Sequence, residues 1–346
     1  MTAVTAAAAA NGVPGAAGGA PGLLVVGDVV TDVVARHAEP LAPHTDTAAR
    51  IAVLPGGAGA NVACWAARCG ARVRLLARAG ADSADWHRAA LLAAGVEPAL
   101  RVDPELPTAV VVALVDAAAE RTLVTDSGAA FRLGPEDWDE DLLDGSPGGH
   151  AGGGAVGRVH LSGYLFFCAP GRELATAVRK AALARGIPVS VDPASAGFLR
   201  GLGTEAFLDA VRGVDLLLPN AAEAALLSGR DEPAAAAAEL SARIGGGTVV
   251  VTLGAGGALA AEAGAVTVRS AAPRAAAVDS TGAGDAFTGA LLAARLAGAD
   301  LAAALDAGCL AGARAVTVAG GRPPLSHDAP HTVVSAARPT APDALP

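Results

Sequence analysis

Short apolar runs that end in turn residues take turns with helical stretches along most of the chain. LLVVGDVV (23–30), VRLLAR (73–78), RVHLSG (158–163), IPVSVD (187–192), VDLLLPN (214–220), TVVVTLG (248–254) and GALAAEAG (257–264) read as strands. GAGANVACWAARCG (57–70), SADWHRAALLAAG (83–95), AFTGALLAARLAG (286–298) and LAAALDAGCLAGARAV (301–316) read as helices. Strands that alternate with helices pair in parallel through crossovers, so the expected class is α/β: a doubly wound, mostly parallel sheet flanked by helices. In such sheets ligands sit beyond the carboxyl ends of the strands. Asp28, Gly163, Asp192, Asn220 and Gly254 stand there. TAVVVALVD (108–116) and RTLVTD (121–126) break the alternation and read as a β-hairpin.

At 346 residues and 52% hydrophobic, the chain can bury one large domain or two small ones. Its net charge is −9 with no basic stripe, so no nucleic-acid partner is expected. An anionic ligand is still open, because backbone amides bind phosphate without changing the net charge. Cys64, Cys69, Cys168 and Cys309 form no CxxC pair and the histidines form no HExxH, which speaks against a disulfide framework or a zinc site and for a reducing cytoplasm. Residues 1–21 lack a basic n-region and read as a flexible tail, and no apolar run reaches membrane-spanning length. GSPGGHAGGGAVG (145–157) reads as a surface loop, and residues 327–346 as a second flexible tail.

Lys180 is the only lysine, and Ala181 follows it. Neither a Walker A loop nor a protein-kinase strand lysine can be built from it. If the chain handles ATP, backbone amides, a helix terminus, a metal or arginine must hold the phosphates.

DSTGAGDAFTGALLAARL (279–296) supplies such a terminus. Gly282, Ala283 and Gly284 precede a long helix, so free N–H groups and the positive end of the dipole converge on one point. Asp285 enters the first turn, where an acid taken alone is ordinary capping chemistry. Two glycines and an alanine directly before it are more than a cap needs, and suit a ligand pressed against backbone. The dipole should lower the pKa of Asp285. Phosphoryl transfer through a loose transition state tolerates that, since the base takes its proton late.

DSTGAGD closely resembles the second signature of the ribokinase-like (PfkB-type) carbohydrate kinases, with Ser280 as its departure. PGGAGANVACWAARCGARVRLLARAGAD (55–82) resembles the first, and the two stand in the family's order. The resemblance covers roughly residues 22–326 and implies one kinase domain, with a small β-strand lid from about 31–55 and 107–127. It implies ATP-dependent phosphorylation of a hydroxymethyl group on a small carbohydrate. Asp285 would be catalytic base, and Gly282, Ala283 and Gly284 the anion hole. Gly56, Gly57, Asn61 and Asp32, which ends GDVVTD (27–32), would contact substrate. PNAAEA (219–224) resembles the motif in which Asn220 and Glu223 organise Mg²⁺, largely through water, although Asn before a helix is also a common cap. VTLGAGG (251–257) resembles the nucleotide-binding strand and loop, implying Thr252, Gly254 and Gly257 near ATP; a hairpin turn fits it equally well. Asp279 and Thr281 match the family's K⁺ site, with carbonyls near Ala315, Val318 and Gly320 as further partners. Lid edges in this family often pair with a second subunit, so a homodimer through the lid is expected.

The acceptor stays open. A sugar or sugar acid is one reading and a nucleoside the other, with Tyr164, Phe166 and Phe167 available for stacking despite 3% aromatic content. A non-catalytic sugar-binding protein on the same fold would be free to lose Asp285, Asn220 and Glu223, and all three are present. A Rossmann dehydrogenase would need a full GxGxxG and a ribose-binding acid, and neither is found.

Overall fold

Leu23 and Leu24 are adjacent in β1 (Gly22–Val26), and both are fully buried. Successive strand residues point to opposite faces, so β1 must be covered on both sides. In the computed structural model, which describes residues 20–117, 121–144 and 154–324, β1 lies inside a nine-stranded sheet. Its other members are β4 (Val73–Gly80), β5 (Val96–Asp103), β8 (Val156–Ser162), β9 (Val189–Asp192), β10 (Leu216–Leu217), β11 (Thr248–Thr252), β12 (Ala258–Glu262) and β13 (Ala265–Ser270). The order is β13-β12-β11-β10-β9-β8-β1-β4-β5, parallel throughout except for β12 and β13, which pair antiparallel at one edge.

Leu23 belongs to a core formed with α1 (Ala58–Arg68), α2 (Ala84–Ala93), α8 (Ala283–Leu296) and α9 (Leu301–Ala315). Leu24 belongs to a second core under α3 (Ala169–Ala184), α4 (Ala196–Leu202), α5 (Thr204–Ala210), α6 (Ala221–Ser228) and α7 (Pro233–Arg243). Each such leucine contributes roughly 2 kcal/mol by leaving water. The doubly wound α/β fold is therefore present. From β1 the chain winds outward through β4 and β5, then returns to β8 on the other side of β1. The winding reverses between β1 and β8, the place where such sheets leave a crevice.

The hairpin that broke the alternation joins a separate small sheet. It consists of β2 (Val30–His37), β3 (Ala49–Gly56), β6 (Ala109–Val115) and β7 (Arg121–Asp126), in the order β3-β2-β6-β7. β6 and β7 pair antiparallel, as a hairpin must, while β2 and β6 run parallel. This sheet covers the β1–β8 crevice and is consistent with the expected lid. Among the described residues no helix is long and apolar enough to cross a membrane. Residues 1–19 and 327–346 of the expected tails, and 145–153 of the glycine-rich loop, lie outside the described residues.

Candidate active site

A cleft of about 320 Å³ separates the carboxyl ends of the central strands from the small sheet. Asp28 builds its floor. Following β1 directly, its carboxylate accepts from the amides of Ala58 and Gly59 at 2.8 and 3.1 Å and from the Ser162 hydroxyl at 3.0 Å. One side chain thus caps α1 and ties β1 to β8 across the switch point. Gly57 enters α1 at φ 99°, a left-handed value that favours glycine. A Cβ on Gly59 would lie 2.9 Å from the Asp28 nitrogen, so only glycine lets the helix head press onto the strand end.

That seating puts Asn61 in the first turn of α1, 5% exposed, with its Nδ2 donating to Asp285 Oδ2 at 2.8 Å. Asp285 stands in the first turn of α8 and lines the cleft with Gly284. Gly282 is the helix cap, left-handed at φ 72°, and a Cβ there would meet Gly321 at 2.4 Å. Packing therefore accounts for Gly282. It does not account for Gly284, whose Cβ would touch nothing within 4 Å. First-turn N–H groups have no partner within a helix, and here they head a helix that opens on the cleft through a bare backbone.

The cleft is acidic. Asp28, Asp32, Asp192, Glu223, Asp279 and Asp285 line it, and among the described residues no arginine or lysine does. Burial, reinforced by Asp192, Asp28 and Asp32, pushes Asp285 well above the ordinary carboxylate value against the opposing Asn61 hydrogen bond. The expectation that the dipole would lower it is corrected: desolvation and three like charges from distant segments outweigh one helix end. Burial likewise raises Asp192 to about 6 and Glu223 to about 7, the latter helped by Asp192.

Asp32 rises to about 7, chiefly through burial, with Arg322 opposing and Asp28 and Asp279 adding to the rise. Its carboxylate lies over Gly56, where a Cβ would come within 2.0 Å of Oδ2. Arg322 sits behind this pair. Its Nη2 donates to the Gly56 carbonyl at 3.0 Å, while Nε and Nη1 are buried without hydrogen-bond partners. The sequence offered no sign of this residue, which precedes two prolines.

Asn220 and Glu223 form a reciprocal capping box at α6: Asn220 Oδ1 accepts from the Glu223 amide at 2.9 Å, and Glu223 Oε2 from the Asn220 amide at 3.0 Å. Both also line the cleft, so cap and site coincide. Among the described residues no three acidic, histidine or cysteine side chains converge enough to hold a metal themselves. A divalent ion fits only with ligands from phosphate and water, beside a Glu223 that forms no ion pair among the described residues. Thr252 lines the cleft, whereas Gly254 and Gly257 connect β11 to β12 in the hairpin that was the alternative reading.

Asp279 fits K⁺ poorly. Its Oδ1 accepts from the Thr281 amide and hydroxyl at 2.9 and 2.7 Å. Its Oδ2 accepts from the Gly320 amide at 3.2 Å and from Arg36 Nη2 at 3.0 Å. These four donors, all among the described residues, already fill the acceptor capacity of a carboxylate, and one carries positive charge.

Comparison with known proteins agrees with this architecture. A model of the pfkB family of carbohydrate kinases matches residues 20–328. A fructokinase from Klebsiella pneumoniae is 32% identical over 285 residues, covering 78% of this chain and 82% of its own. Among solved structures, an aminoimidazole riboside kinase from Salmonella enterica, complexed with aminoimidazole riboside and an ATP analog, superimposes with a TM-score of 0.70 at 27% identity, over 88% of this chain and 96% of the other. An adenosine kinase from Sinorhizobium meliloti shares the fold, with a TM-score of 0.76 at 22% identity over the same shares of the two chains. A family match over nearly the whole described chain, on this fold and around this cleft, makes the protein a member of the pfkB family of carbohydrate kinases and an ATP-dependent kinase.

Proposed function

We propose that the protein transfers the γ-phosphoryl group of ATP to a hydroxymethyl group on a neutral polyhydroxylated acceptor, with Asp285 as general base. The observation that carries this reading is the pairing, at one helix head, of an acid that burial keeps basic with a glycine that no packing requires. The acceptor oxygen attacks the γ-phosphorus, the bond to the ADP oxygen breaks, and the hydroxyl proton passes to Asp285. The amides of Gly282, Ala283 and Gly284 would receive the charge on the moving phosphoryl oxygens, where fixed dipoles act at full strength in a site shut from water. A carboxylate held high is a better acceptor for that proton than an ordinary aspartate.

Asn220 and Glu223 would hold Mg²⁺ through its waters, and the ion would supply charge neutralisation on the phosphates. Thr252 lies where the nucleotide would enter, and Gly254 and Gly257 would shape the loop beside it. Asp32, Gly56, Gly57 and Asn61 would meet the acceptor.

Among the described residues the lining has six acidic side chains and no arginine or lysine to pair with an anionic acceptor, so a sugar acid or sugar phosphate suits the site less than a neutral sugar. The lid's inner face favours a second reading. Val34, Val111, Ala113, Val115 and Leu123 form an apolar wall, with Phe131 and Tyr164 at its foot. A nucleoside, which carries a flat apolar group beside its hydroxymethyl, would use that wall. ADP release measured across neutral sugars, sugar acids and nucleosides tests both readings. Turnover on neutral acceptors, and its collapse by several orders of magnitude in Asp285→Ala with the ATP KM kept, is the expected result. Preference for acids, or retained turnover in that variant, overturns it.

A further inference from the structure

Arg36 lies on β2 four residues after Asp32, on the face that the alternation of a strand turns toward the cleft. Its guanidinium leaves the lid and meets Asp279 at 3.0 Å, joining two segments 243 positions apart. Asp279 is 9% exposed and stands three residues before Gly282. The same carboxylate receives the Thr281 amide and hydroxyl, and so fixes the turn that aims the helix head. It also receives the Gly320 amide, while the amides of Val278 and Asp279 bond to the Val316 carbonyl. Asp279 is therefore the point where the lid, the turn before the anion hole and the 316–320 segment meet.

A buried carboxylate at such a junction needs positive charge, or its desolvation disorders the turn it holds. A free monovalent metal ion would need acceptor sites on Asp279 that protein donors already fill. We infer that Arg36 is a tethered cation that takes the place of a monovalent metal ion at Asp279. Closing the lid, and not binding K⁺, then sets the turn ahead of Gly282–Gly284. Arg36 is a positioning residue on this account, because it touches Asp279 and acts on the anion hole through it. The inference rests on the reading of Gly282–Gly284 as anion hole.

The test compares wild type, Arg36→Ala and Arg36→Lys in choline, sodium, potassium and guanidinium chlorides at matched low ionic strength. Two readouts are taken: kcat with Mg²⁺–ATP and the neutral acceptor that turns over fastest, and the melting temperature without ligands. Wild type should show the same kcat, within about twofold, and the same melting temperature in choline and in K⁺. Arg36→Ala should lose on the order of tenfold in kcat in choline and regain most of it in K⁺ or guanidinium. Its melting temperature should rise with K⁺ while that of wild type does not. Arg36→Lys should keep more activity in choline than Arg36→Ala. Strong stimulation of wild type by K⁺ overturns the inference, as does an Arg36→Ala protein that is fully active in choline. A loss that no cation repairs also overturns it, since Arg36 would then act through shape and not charge. Asp285→Ala is included as a control. Turnover in that variant would sink the reading of the site, while the melting temperatures would still decide the role of Arg36.

Discussion

The Asn61 amide donates to the Asp285 carboxylate at 2.8 Å, across a sequence separation of 224 residues. That hydrogen bond favours the ionised form of Asp285, against burial and three neighbouring carboxylates. Asp285 is thus tied to the helix that Asp28 caps, and the two signature segments meet at this hydrogen bond.

Asn61→Ala removes the donor and leaves the opposing effects in place, so the Asp285 pKa rises further. The ionised form of Asp285 then becomes scarce at neutral pH, and its carboxyl is free to turn away. kcat should fall about 10- to 100-fold, and the acid limb of its pH profile should move to higher pH. An unchanged limb would show that Asn61 serves the acceptor alone.

Asp32 gives a sign for stability against pH. Its value rises from 3.8 to about 7 on folding, so the folded state holds a proton that the unfolded chain releases above about pH 4. Its contribution is complete below that point and is lost as the pH climbs through about 7. Buried His87 and His160, lowered to about 4 and about 3, give the opposite trend. The comparison must therefore be between variants. The melting temperature of Asp32→Asn minus that of wild type should become more positive from pH 5 to pH 8. A flat difference would mean that Arg322 fully compensates the Asp32 charge.

Gly289 tests the frame behind the site. A Cβ there would come 2.6 Å from the Val62 carbonyl and 2.8 Å from the Ala66 amide, backbone atoms of α1 that cannot step aside. Gly289→Ala must push α8 off α1, at about 1–3 kcal/mol. The melting temperature should drop by several degrees, and kcat should fall with it as the Asn61–Asp285 bond stretches. An equally stable variant would show that the helices can separate without strain.

Much of the fold was legible because parallel strands leave a local trace: Leu23 and Leu24 announce burial on both faces, and TAVVVALVD announces a strand. β5 was not read, since Pro98 interrupts VEPALRVD; as an edge strand it tolerates a residue without an N–H. β10 is two residues long and carries no period of its own, though VDLLLPN around it reads as a strand. In the site, DSTGAGD stands out because its small residues come in a row, the pattern that close approach of a ligand to backbone would need. The partners of Arg36, Arg322 and Asp28 could not, because spacing along the chain holds no record of contacts made across the fold. The pKa of Asp285 failed for the same reason: the dipole is local, and the charges that overrule it are not.

The outer face of the lid bears on assembly. Val53 pairs with Val33, which pairs with Val112, which in turn pairs with Val124, while Ile51 pairs with Ala35. By strand alternation these residues point away from the face that carries Asp32 and Val34. Ile51 and Val53 are each 47% exposed and Val124 58%, so water meets a continuous apolar stripe across the sheet. Such stripes mark contact surfaces, and two lids stacked face to face would cover both. Light scattering should return a dimer for wild type and a monomer for the Val53→Lys/Val124→Lys double variant, with its melting curve still cooperative. Because the opposite face of the same strands lines the cleft, loss of the dimer should raise the acceptor KM more than it lowers kcat. A wild-type monomer at every concentration would leave the stripe for some other partner and remove the dimer from the account.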